Sequence, residues 1–354
     1  MSRKNALPLD LLEATRLTQS GRLVEATAAI QRLLRQQPMP EPVNDPAPGR
    51  VIDGEFVRVK EPLVEPRHPE GGQFISGSFG NSAGTRPYKL YIPSGYVGEP
   101  LPMIVMLHGC TQTPDDFAAG TRMNALAEEG GYFVLYPAQT QGANGSRCWN
   151  WFKRANQRRG KGEPAILAGM TRECMNRYAM DPRRVYVAGL SAGGAMAAVL
   201  ASAYPDLYAA LGVHSGLAVG SAHDVQSAFA AMQGTPGTRS AVRERMAQAV
   251  PAIVFHGDRD TTVHPRNGEQ VILESVDPAA ASSVEQGQVP GGHAYTRTVH
   301  RDATGRVVLE HWLVHGAGHA WSGGSPSGSY TDPKGPDAAR AMLRFFEHTT
   351  ESRS

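Results

Sequence analysis

The 354-residue chain contains few cysteines, little net charge and no long hydrophobic run. Its three cysteines are too few for a disulfide scaffold, and their spacing matches no metal-binding motif. A formal charge of +2 gives no reason to expect nucleic acid or an anionic membrane as a partner. No apolar run reaches the roughly 18 residues that a transmembrane helix needs. The sequence therefore predicts no membrane span, no metal and no cofactor, whereas 41% hydrophobic residues can form a large core.

The N-terminus also lacks the apolar segment of a signal peptide. Asp10, Glu13 and Arg16 interrupt the region where that segment would lie. This pattern favours a cytoplasmic protein. Cys110 and Cys148 could come together at the mouth of an active site and form a disulfide there, which a reducing compartment disfavours.

The chain is predicted to have two parts. Residues 8–36 show the apolar spacing of two short amphipathic helices, whose shared face would dock on a partner or on the rest of the chain. A proline-rich stretch follows and indicates a stiff linker. We assign residues 1–50 to this helical extension with its linker, and residues 66–350 to a catalytic domain.

Strands and helices alternate along the predicted catalytic domain. After a β pattern over Ser76–Pro93, strands are predicted at 103–107, 132–136, 185–189, 209–213, 252–256 and 310–314. Helices are predicted near 121–129, 164–178, 194–203, 223–232, 266–275 and 337–348. Such alternation is typical of an α/β fold, with a mostly parallel sheet and helices on both faces. A hairpin, formed by His293–Arg301 and Val307–Val314, is expected before the end of the domain.

A serine stands at the centre of a strand–turn–helix pattern. Ser191 is the middle residue of Gly189–Gly193, which follows the apolar run Val185–Ala188 and precedes the helix-forming run Ala195–Ala203. This is the pattern of a nucleophile elbow, in which the flanking glycines allow close packing and the serine hydroxyl is exposed above the sheet. A glycine-rich β-turn-α connection without chemistry is the alternative interpretation of the pentapeptide.

An acid and a base follow the serine in the chain order that accompanies a nucleophile elbow, which is serine, then aspartate or glutamate, then histidine. The apolar run Ala252–His256 leads into a loop with Asp258 and Asp260, and His319 comes just after a later strand. A serine hydroxyl needs an imidazole to take its proton and a carboxylate to orient that imidazole. We assign these roles to His319 and Asp260, and we expect Asp258 to cap the turn.

Three other histidines lie near these segments. His256 is interpreted as structural, and His264 as a loop or cleft residue. His214 ends a predicted strand at the same edge of the sheet, which makes it a candidate substrate contact. It follows the serine too closely to be the catalytic base.

An oxyanion hole is expected after the first buried strand of the domain. The apolar run Met103–Leu107 is followed by His108-Gly109-Cys110, where backbone N–H groups would face a developing oxyanion. The expected donors are the N–H groups of Cys110 and Ala192.

Residues 138–164 are rich in glycine, basic residues and aromatic side chains. We expect Trp149 and Trp151 to line the substrate cleft, and Trp321 to do the same because it follows His319 closely. The alternative is that the tryptophans fill the edge of the core. The cluster is too short, in a domain that is otherwise not basic, to indicate nucleic-acid binding.

Five motifs together resemble the polyhydroxybutyrate depolymerase family of esterases. In chain order they are Leu107–Gln112, Cys148–Phe152, Gly189–Gly194, His256–Asp260 and Gly318–Trp321. The resemblance covers roughly residues 70–350 and implies an α/β-hydrolase fold and activity on polyhydroxyalkanoate esters. Relatives of that family include feruloyl and acetylxylan esterases. Family members are often exported, so the resemblance implies an extracellular location as the alternative to the cytoplasm.

The resemblance places the triad on Ser191, Asp260 and His319, with an oxyanion N–H from Cys110. The expected function is therefore a serine esterase for short-chain or hydroxyalkanoate esters, with a feruloyl or acetylxylan esterase as the alternative. From other classes, a peptidase similar to prolyl oligopeptidase and a binding protein without catalysis are the competing hypotheses. Turnover of peptides and reaction with a fluorophosphonate probe would separate these.

Overall fold

Apolar segments form the central strands of the structure, a computed structural model that describes residues 71–235, 250–275 and 280–351. The strands are β1 Gln73–Asn81, β2 Gly84–Ile92, β3 Leu101–Leu107, β4 Phe133–Pro137, β5 Met180–Leu190, β6 Ala210–His214, β7 Ala252–Gly257, β8 Ala281–Gln288, β9 Ala294–Arg301, β10 Val307–Val314, β11 Trp321–Ser322 and β12 Thr331–Asp332.

The helices occupy the connections between these strands. They are α1 Pro114–Thr121, α2 Met123–Gly130, α3 Gly162–Arg177, α4 Ala192–Ala203, α5 Val225–Met232, α6 Arg266–Ser275 and α7 Ala338–Glu351, together with a short 3₁₀ helix at Arg154–Gln157.

Ten strands form one sheet in the order β1-β2-β4-β3-β5-β6-β7-β10-β9-β8, and β11 pairs with β12 separately. The strands from β4 through β3, β5, β6 and β7 to β10 are parallel to their neighbours. The pairs at the two sides, β1 with β2, β2 with β4, β10 with β9 and β9 with β8, are antiparallel. Because β3, β5, β7 and β10 run in one direction, the loops after them meet at one edge of the sheet.

The sheet is buried on both faces at its centre. In β3, Met103, Val105 and Leu107 belong to one hydrophobic cluster. Ile104 and Met106 belong to the other. Successive side chains of a strand point to opposite faces, so a strand covered on both sides must be apolar throughout. This explains the uninterrupted apolar runs in the sequence.

The predicted α/β-hydrolase fold is confirmed, and the predicted core strands and most helices are found within a few residues. Several elements were not predicted, among them β8, α1, the short strands β11 and β12 and the 3₁₀ helix. Strand β8 is almost fully exposed and its sequence shows no alternation of apolar residues. Helix α1 begins at Pro114, where the Thr113 side chain accepts a hydrogen bond from the Asp116 N–H. The helices predicted over 8–36 and the linker after them lie outside the described residues and stay predictions. No helix in the described part of the chain is long and apolar enough to cross a membrane.

Candidate active site

Ser191 lies at a sharp turn between β5 and α4. Its backbone has φ 57° and ψ −121°, a left-handed φ that is uncommon for a residue with a side chain. The Ser191 N–H donates to the His214 carbonyl at 2.9 Å, which fixes the turn against β6. A Cβ atom on Gly193 would overlap the Leu107 carbonyl oxygen, so only glycine allows helix and strand to approach this closely. The turn therefore has the geometry of a nucleophile elbow.

His319 and Asp260 are joined directly at the same edge of the sheet. His319 Nδ1 lies 2.7 Å from Asp260 Oδ2. The other carboxylate oxygen, Oδ1, accepts the N–H groups of Thr262 at 2.9 Å and Val263 at 2.8 Å. Both oxygens are therefore held, and the carboxylate fixes the orientation of the imidazole.

The electrostatics of Asp260 favour the ionised form. Burial by itself would raise the pKa of this carboxyl. Hydrogen bonds from His256 and His319, the nearby charge of His319 and the Val263 N–H outweigh burial and hold the pKa well below its usual range. Asp260 is thus a carboxylate throughout the neutral range.

His256 is a buried residue whose contact with the acid the sequence did not show. Its Nε2 lies 2.8 Å from the Val263 carbonyl oxygen and 3.4 Å from Asp260 Oδ2. It lies behind the acid, near the end of β7 and just before the loop that carries Asp260. A structural role was predicted for His256, but its contact with Asp260 depends on the fold of that loop and could not be derived from spacing.

Within the described residues, Ser191 Oγ and His319 are not joined by a hydrogen bond. The structure shows the elbow after β5 and the imidazole–carboxylate pair after β7 and β10, at the same edge of the sheet with β6 between them. Hydrogen bonds between a nucleophile and its base are often long without substrate and shorten when it binds.

The expected oxyanion loop follows β3 and is held by buried polar groups. The Gly109 N–H donates to Gln112 Oε1 at 2.8 Å. His108 Nδ1 lies 2.7 Å from the Gly109 carbonyl oxygen, and His108 Nε2 accepts the Gln139 N–H at 3.1 Å. Burial lowers the pKa of His108 to about 4, which agrees with a neutral ring that both donates and accepts.

Ala192, the second expected donor, is the first residue of α4. The N–H groups of a first helical turn have no acceptor within the helix. The helix dipole adds partial positive charge at this end. The position of Ala192 at the start of α4 agrees with its expected role as an oxyanion donor.

Cys110 and Cys148 form a disulfide, contrary to our expectation from the sequence. The expectation depended on a reducing cytoplasm, whereas the fold brings the two side chains together across the oxyanion loop. The bond attaches the expected oxyanion donor Cys110 to the segment Cys148–Phe152. Cys174 is free and buried.

The segment Cys148–Phe152 is in turn fixed by a buried carboxylate. Glu163 accepts from the N–H and the Nδ2 of Asn150, both at 2.7 Å, and from Gln139 Nε2 at 2.5 Å. Arg86 Nη2 lies 3.3 Å away and supplies the opposite charge. A carboxylate buried in this way is stable only when it is fully hydrogen-bonded, so Glu163 anchors the segment.

The predicted substrate contacts of the tryptophans do not fit the structure. Trp149, Trp151 and Trp321 are 0%, 6% and 1% exposed. Trp149 lies against His108, with ring centroids 5.5 Å apart, and Trp321 packs edge-on against Phe117. These rings fill the core beneath the loops, which is the alternative that the sequence left open.

His214 is also buried instead of exposed to substrate. Its ring stacks on Trp321, and its Nε2 accepts the Ser322 N–H at 2.9 Å. Burial, with a smaller effect of the charges of His256 and His319, lowers the pKa of His214 to about 3. The prediction that His214 contacts substrate is therefore wrong. Its neutral ring supports the loop after His319 instead.

The fold and these loops define the class of the protein, an α/β-hydrolase. The sequence profile of a family described as Esterase PHB depolymerase matches residues 86–277. The chain belongs to this family, which confirms the resemblance seen in the sequence.

Three relatives are similar in sequence to this chain. The chain is 31% identical over 252 residues to poly(3-hydroxyalkanoate) depolymerase C of Paucimonas lemoignei, which covers 68% of this chain and 60% of that protein. It is 30% identical over 213 residues to a probable acetylxylan esterase A of Aspergillus clavatus, covering 56% and 68%. It is 26% identical over 256 residues to feruloyl esterase B of Thermothelomyces thermophilus, covering 68% and 86%. The match thus spans less than two thirds of the depolymerase.

Solved structures show the same fold. An acetyl xylan esterase from Aspergillus awamori matches with a TM-score of 0.61 at 21% identity, over 78% of this chain and 99% of that one. A ferulic acid esterase matches with a TM-score of 0.50 at 16% identity, over 79% and 98%.

Proposed function

We propose that the chain is a serine carboxylesterase that hydrolyses short-chain or hydroxyalkanoate esters through an acyl-enzyme. The observation that carries this proposal is the contact of 2.7 Å between His319 Nδ1 and Asp260 Oδ2, at the sheet edge that also carries Ser191 on its turn. Three separate loops, after β5, β7 and β10, contribute these residues.

In the first half of the reaction, His319 takes the proton of the Ser191 hydroxyl while Ser191 Oγ bonds to the ester carbonyl carbon. Asp260 stabilises the imidazolium that forms. The N–H groups of Cys110 and Ala192 bind the oxyanion of the tetrahedral intermediate. When the carbon–oxygen bond to the alcohol breaks, the imidazolium gives its proton to the leaving oxygen, and an acyl-Ser191 ester remains.

In the second half, His319 takes a proton from water as the water oxygen bonds to the acyl carbon. The same oxyanion donors stabilise the second tetrahedral intermediate. Its collapse releases the carboxylic acid and returns the proton to Ser191 Oγ. The cycle consumes one water and requires no cofactor.

The names of the relatives support an ester as the substrate. They are a poly(3-hydroxyalkanoate) depolymerase, an acetylxylan esterase and a feruloyl esterase, and all three names denote cleavage of an ester bond. Because two relatives are named acetylxylan and feruloyl esterase, the second candidate function is an esterase that removes acyl groups from polysaccharides. Acyl chains of about two to four carbons are the proposed preference. Each further CH₂ adds binding energy, about 0.8 kcal/mol, only where a pocket can bury it.

Covalent labelling and turnover test the proposal together. A fluorophosphonate probe should label the parent chain, and Ser191→Ala should abolish both the label and turnover of p-nitrophenyl acetate. Ser221→Ala, which changes a serine outside the triad, should leave both intact. A labelled Ser191→Ala protein would contradict the assignment of the nucleophile.

A substrate panel then decides among the candidate substrates. Acetyl, butyryl and octanoyl p-nitrophenyl esters, soluble hydroxybutyrate oligomers, a feruloyl ester, an acetylated xylan and a peptide amide would be compared by kcat/KM. The proposal expects the acetyl or butyryl ester and the oligomers to be turned over fastest. Highest activity on the peptide would identify a peptidase instead.

The disulfide supports a location outside the reducing cytoplasm. The bond between Cys110 and Cys148 lies at the proposed oxyanion loop, where its loss would affect catalysis. Disulfides persist in oxidising compartments and are rare in the cytosol. We propose an extracellular or other oxidising location, although the sequence by itself favours the cytoplasm. Fractionation of the native host, with thiol alkylation of each fraction, tests this.

A further inference from the structure

Tyr330 is an exposed aromatic residue in a disfavoured backbone conformation. Its φ is 52°, in the left-handed region where a Cβ atom is crowded. The residue is 48% exposed, so burial of the ring does not compensate for this conformation. Non-glycine residues held in such conformations cluster at functional sites, where the surrounding structure enforces them. Ser191 is another example in this chain, with φ 57°.

The backbone around Tyr330 is held from two sides. The Trp321 N–H donates to the Tyr330 carbonyl at 2.7 Å, which joins Tyr330 to the loop that carries His319. The preceding residue, Ser329, donates its N–H to Asp116 Oδ1 at 2.8 Å. Its carbonyl oxygen accepts from Gln112 Nε2 at 3.0 Å. These bonds fix the direction in which the ring leaves the backbone.

The hydroxyl of Tyr330 faces the proposed oxyanion loop. It lies 3.4 Å from the hydroxyl of Thr111, which directly follows Cys110 and has itself a φ of 67°. A separation of 3.4 Å is longer than the usual 2.5–3.0 Å of a hydroxyl–hydroxyl hydrogen bond. The contact is therefore at most a weak hydrogen bond donated by Tyr330, which an acceptor oxygen of a substrate can replace. Thr111 Oγ1 already donates to the Cys110 carbonyl at 2.6 Å.

Tyr330 lies between the loop of the expected oxyanion donor and the loop of the proposed base. On one side it reaches Thr111, next to the expected oxyanion donor Cys110. On the other side its carbonyl oxygen accepts a hydrogen bond from the N–H of Trp321, two residues after His319. The tryptophans predicted to grip substrate are buried, whereas Tyr330 offers both an aromatic face and a hydroxyl at the surface.

From this placement we propose that Tyr330 is a specificity-determining residue that contacts the part of an ester substrate extending beyond the reacting carbonyl. The inference rests on the proposed esterase function. The ring packs against the apolar part of the extension and the hydroxyl donates to an acceptor oxygen, such as the carbonyl of a second ester group. The strained backbone is retained because it directs the side chain toward the oxyanion loop.

The test compares a small ester, p-nitrophenyl acetate, with an extended one, a soluble hydroxybutyrate trimer. The variants are Tyr330→Gly, which removes the side chain and relieves the left-handed backbone, and Tyr330→Phe, which removes only the hydroxyl. Phe229→Ala is the matched control because Phe229 is also exposed, at 59%, on the separate helix α5.

In Tyr330→Gly we expect the ratio of kcat/KM for the trimer to that for the acetate to fall about tenfold, mainly through KM, as is usual for loss of an aromatic contact. Tyr330→Phe should lower the ratio by about threefold, as expected for loss of one hydrogen bond. The midpoint of thermal unfolding of Tyr330→Gly should stay equal or rise, since glycine tolerates a φ of 52°. Phe229→Ala should leave the ratio unchanged.

Two outcomes contradict the proposal in distinguishable ways. An active parent enzyme whose ratio is the same in Tyr330→Gly would overturn the role of Tyr330 and leave the esterase function standing. A lower unfolding midpoint with equal losses on both esters would identify a structural role instead. A folded parent chain inactive on both esters would contradict the esterase function and the role of Tyr330 together.

Discussion

Asp258 and Asp260 lie two residues apart in one loop and contact different histidines. Asp260 Oδ2 lies 2.7 Å from His319 Nδ1, whereas Asp258 Oδ2 lies 3.0 Å from His315 Nδ1. Asp258 Oδ1 also accepts the Gly316 N–H at 2.7 Å. Asp260 is buried, while Asp258 is half-exposed. Asp258 thus ties the acid-bearing loop to the start of the loop that carries His319, and Asp260 meets the proposed base itself.

The first prediction follows from this division. Asp260→Asn should lower kcat about 10³–10⁴-fold, because an amide stabilises neither the imidazolium nor the required tautomer. Asp258→Asn should lower kcat less than about tenfold, since its amide oxygen can still accept the Gly316 N–H. Steady-state kinetics on p-nitrophenyl acetate with these two isosteric changes gives the comparison. A larger loss in Asp258→Asn would show that the acid is assigned to the wrong aspartate.

The second prediction concerns stability in acid. Burial lowers the pKa of His108 to about 4 and, helped by neighbouring histidines, that of His214 to about 3, from an ordinary value of 6.5. Below 6.5 the unfolded chain therefore binds protons that the folded chain does not, so acid favours unfolding.

The free energy of unfolding should accordingly fall as the pH drops from 6.5 toward about 4, by about 1.4 kcal/mol per pH unit for each histidine. The loss should level off once the folded state also binds these protons, at about pH 4 for His108 and about pH 3 for His214. Urea titrations between pH 4.5 and 7.5 measure the slope. A stability that is constant over this range would mean that the two rings titrate in the folded protein with the same pKa as in the unfolded chain.

The third prediction concerns the disulfide. Cys148→Ser releases the oxyanion loop from the segment anchored by Glu163, so the Cys110 N–H is held less firmly. Loss of one oxyanion donor typically costs 10²–10³-fold in kcat. Weaker positioning of the Cys110 N–H should lower kcat about tenfold, with KM little changed. Cys174→Ala serves as the control for the loss of a cysteine elsewhere. Equal kcat values in Cys148→Ser and the parent, both fully folded, would show that the disulfide does not contribute to catalysis.

The fourth prediction distinguishes a core tryptophan from a substrate contact. Trp149 is fully buried against His108, so Trp149→Phe should create a small cavity and destabilise the protein by about 1–3 kcal/mol. KM for p-nitrophenyl butyrate should change less than about twofold. Denaturant unfolding and steady-state kinetics on the same preparation check both parts. A large rise in KM without loss of stability would restore the cleft role predicted from the sequence.

Some elements of this fold follow from local sequence patterns, and others depend on contacts between distant segments. The strand over 103–107 could be predicted because burial on both faces requires an uninterrupted apolar run. The turn at Ser191 could be predicted because close packing of strand and helix requires glycine at fixed offsets. Strand β8 could not, since its exposed residues carry no periodic signal.

The sequence by itself determined the α/β architecture, the family and the chain order of the serine, the aspartate-bearing loop and the histidine, because each depends on patterns within one segment or on segment order. Only the tertiary structure decided that Asp260 and not Asp258 contacts His319, that Cys110 pairs with Cys148, and that three predicted cleft tryptophans are buried. It also brought Tyr330 beside Thr111, 219 residues away along the chain. Such contacts depend on how loops from distant strands meet at one sheet edge, and side-chain direction there is set by packing and backbone geometry that no local pattern encodes.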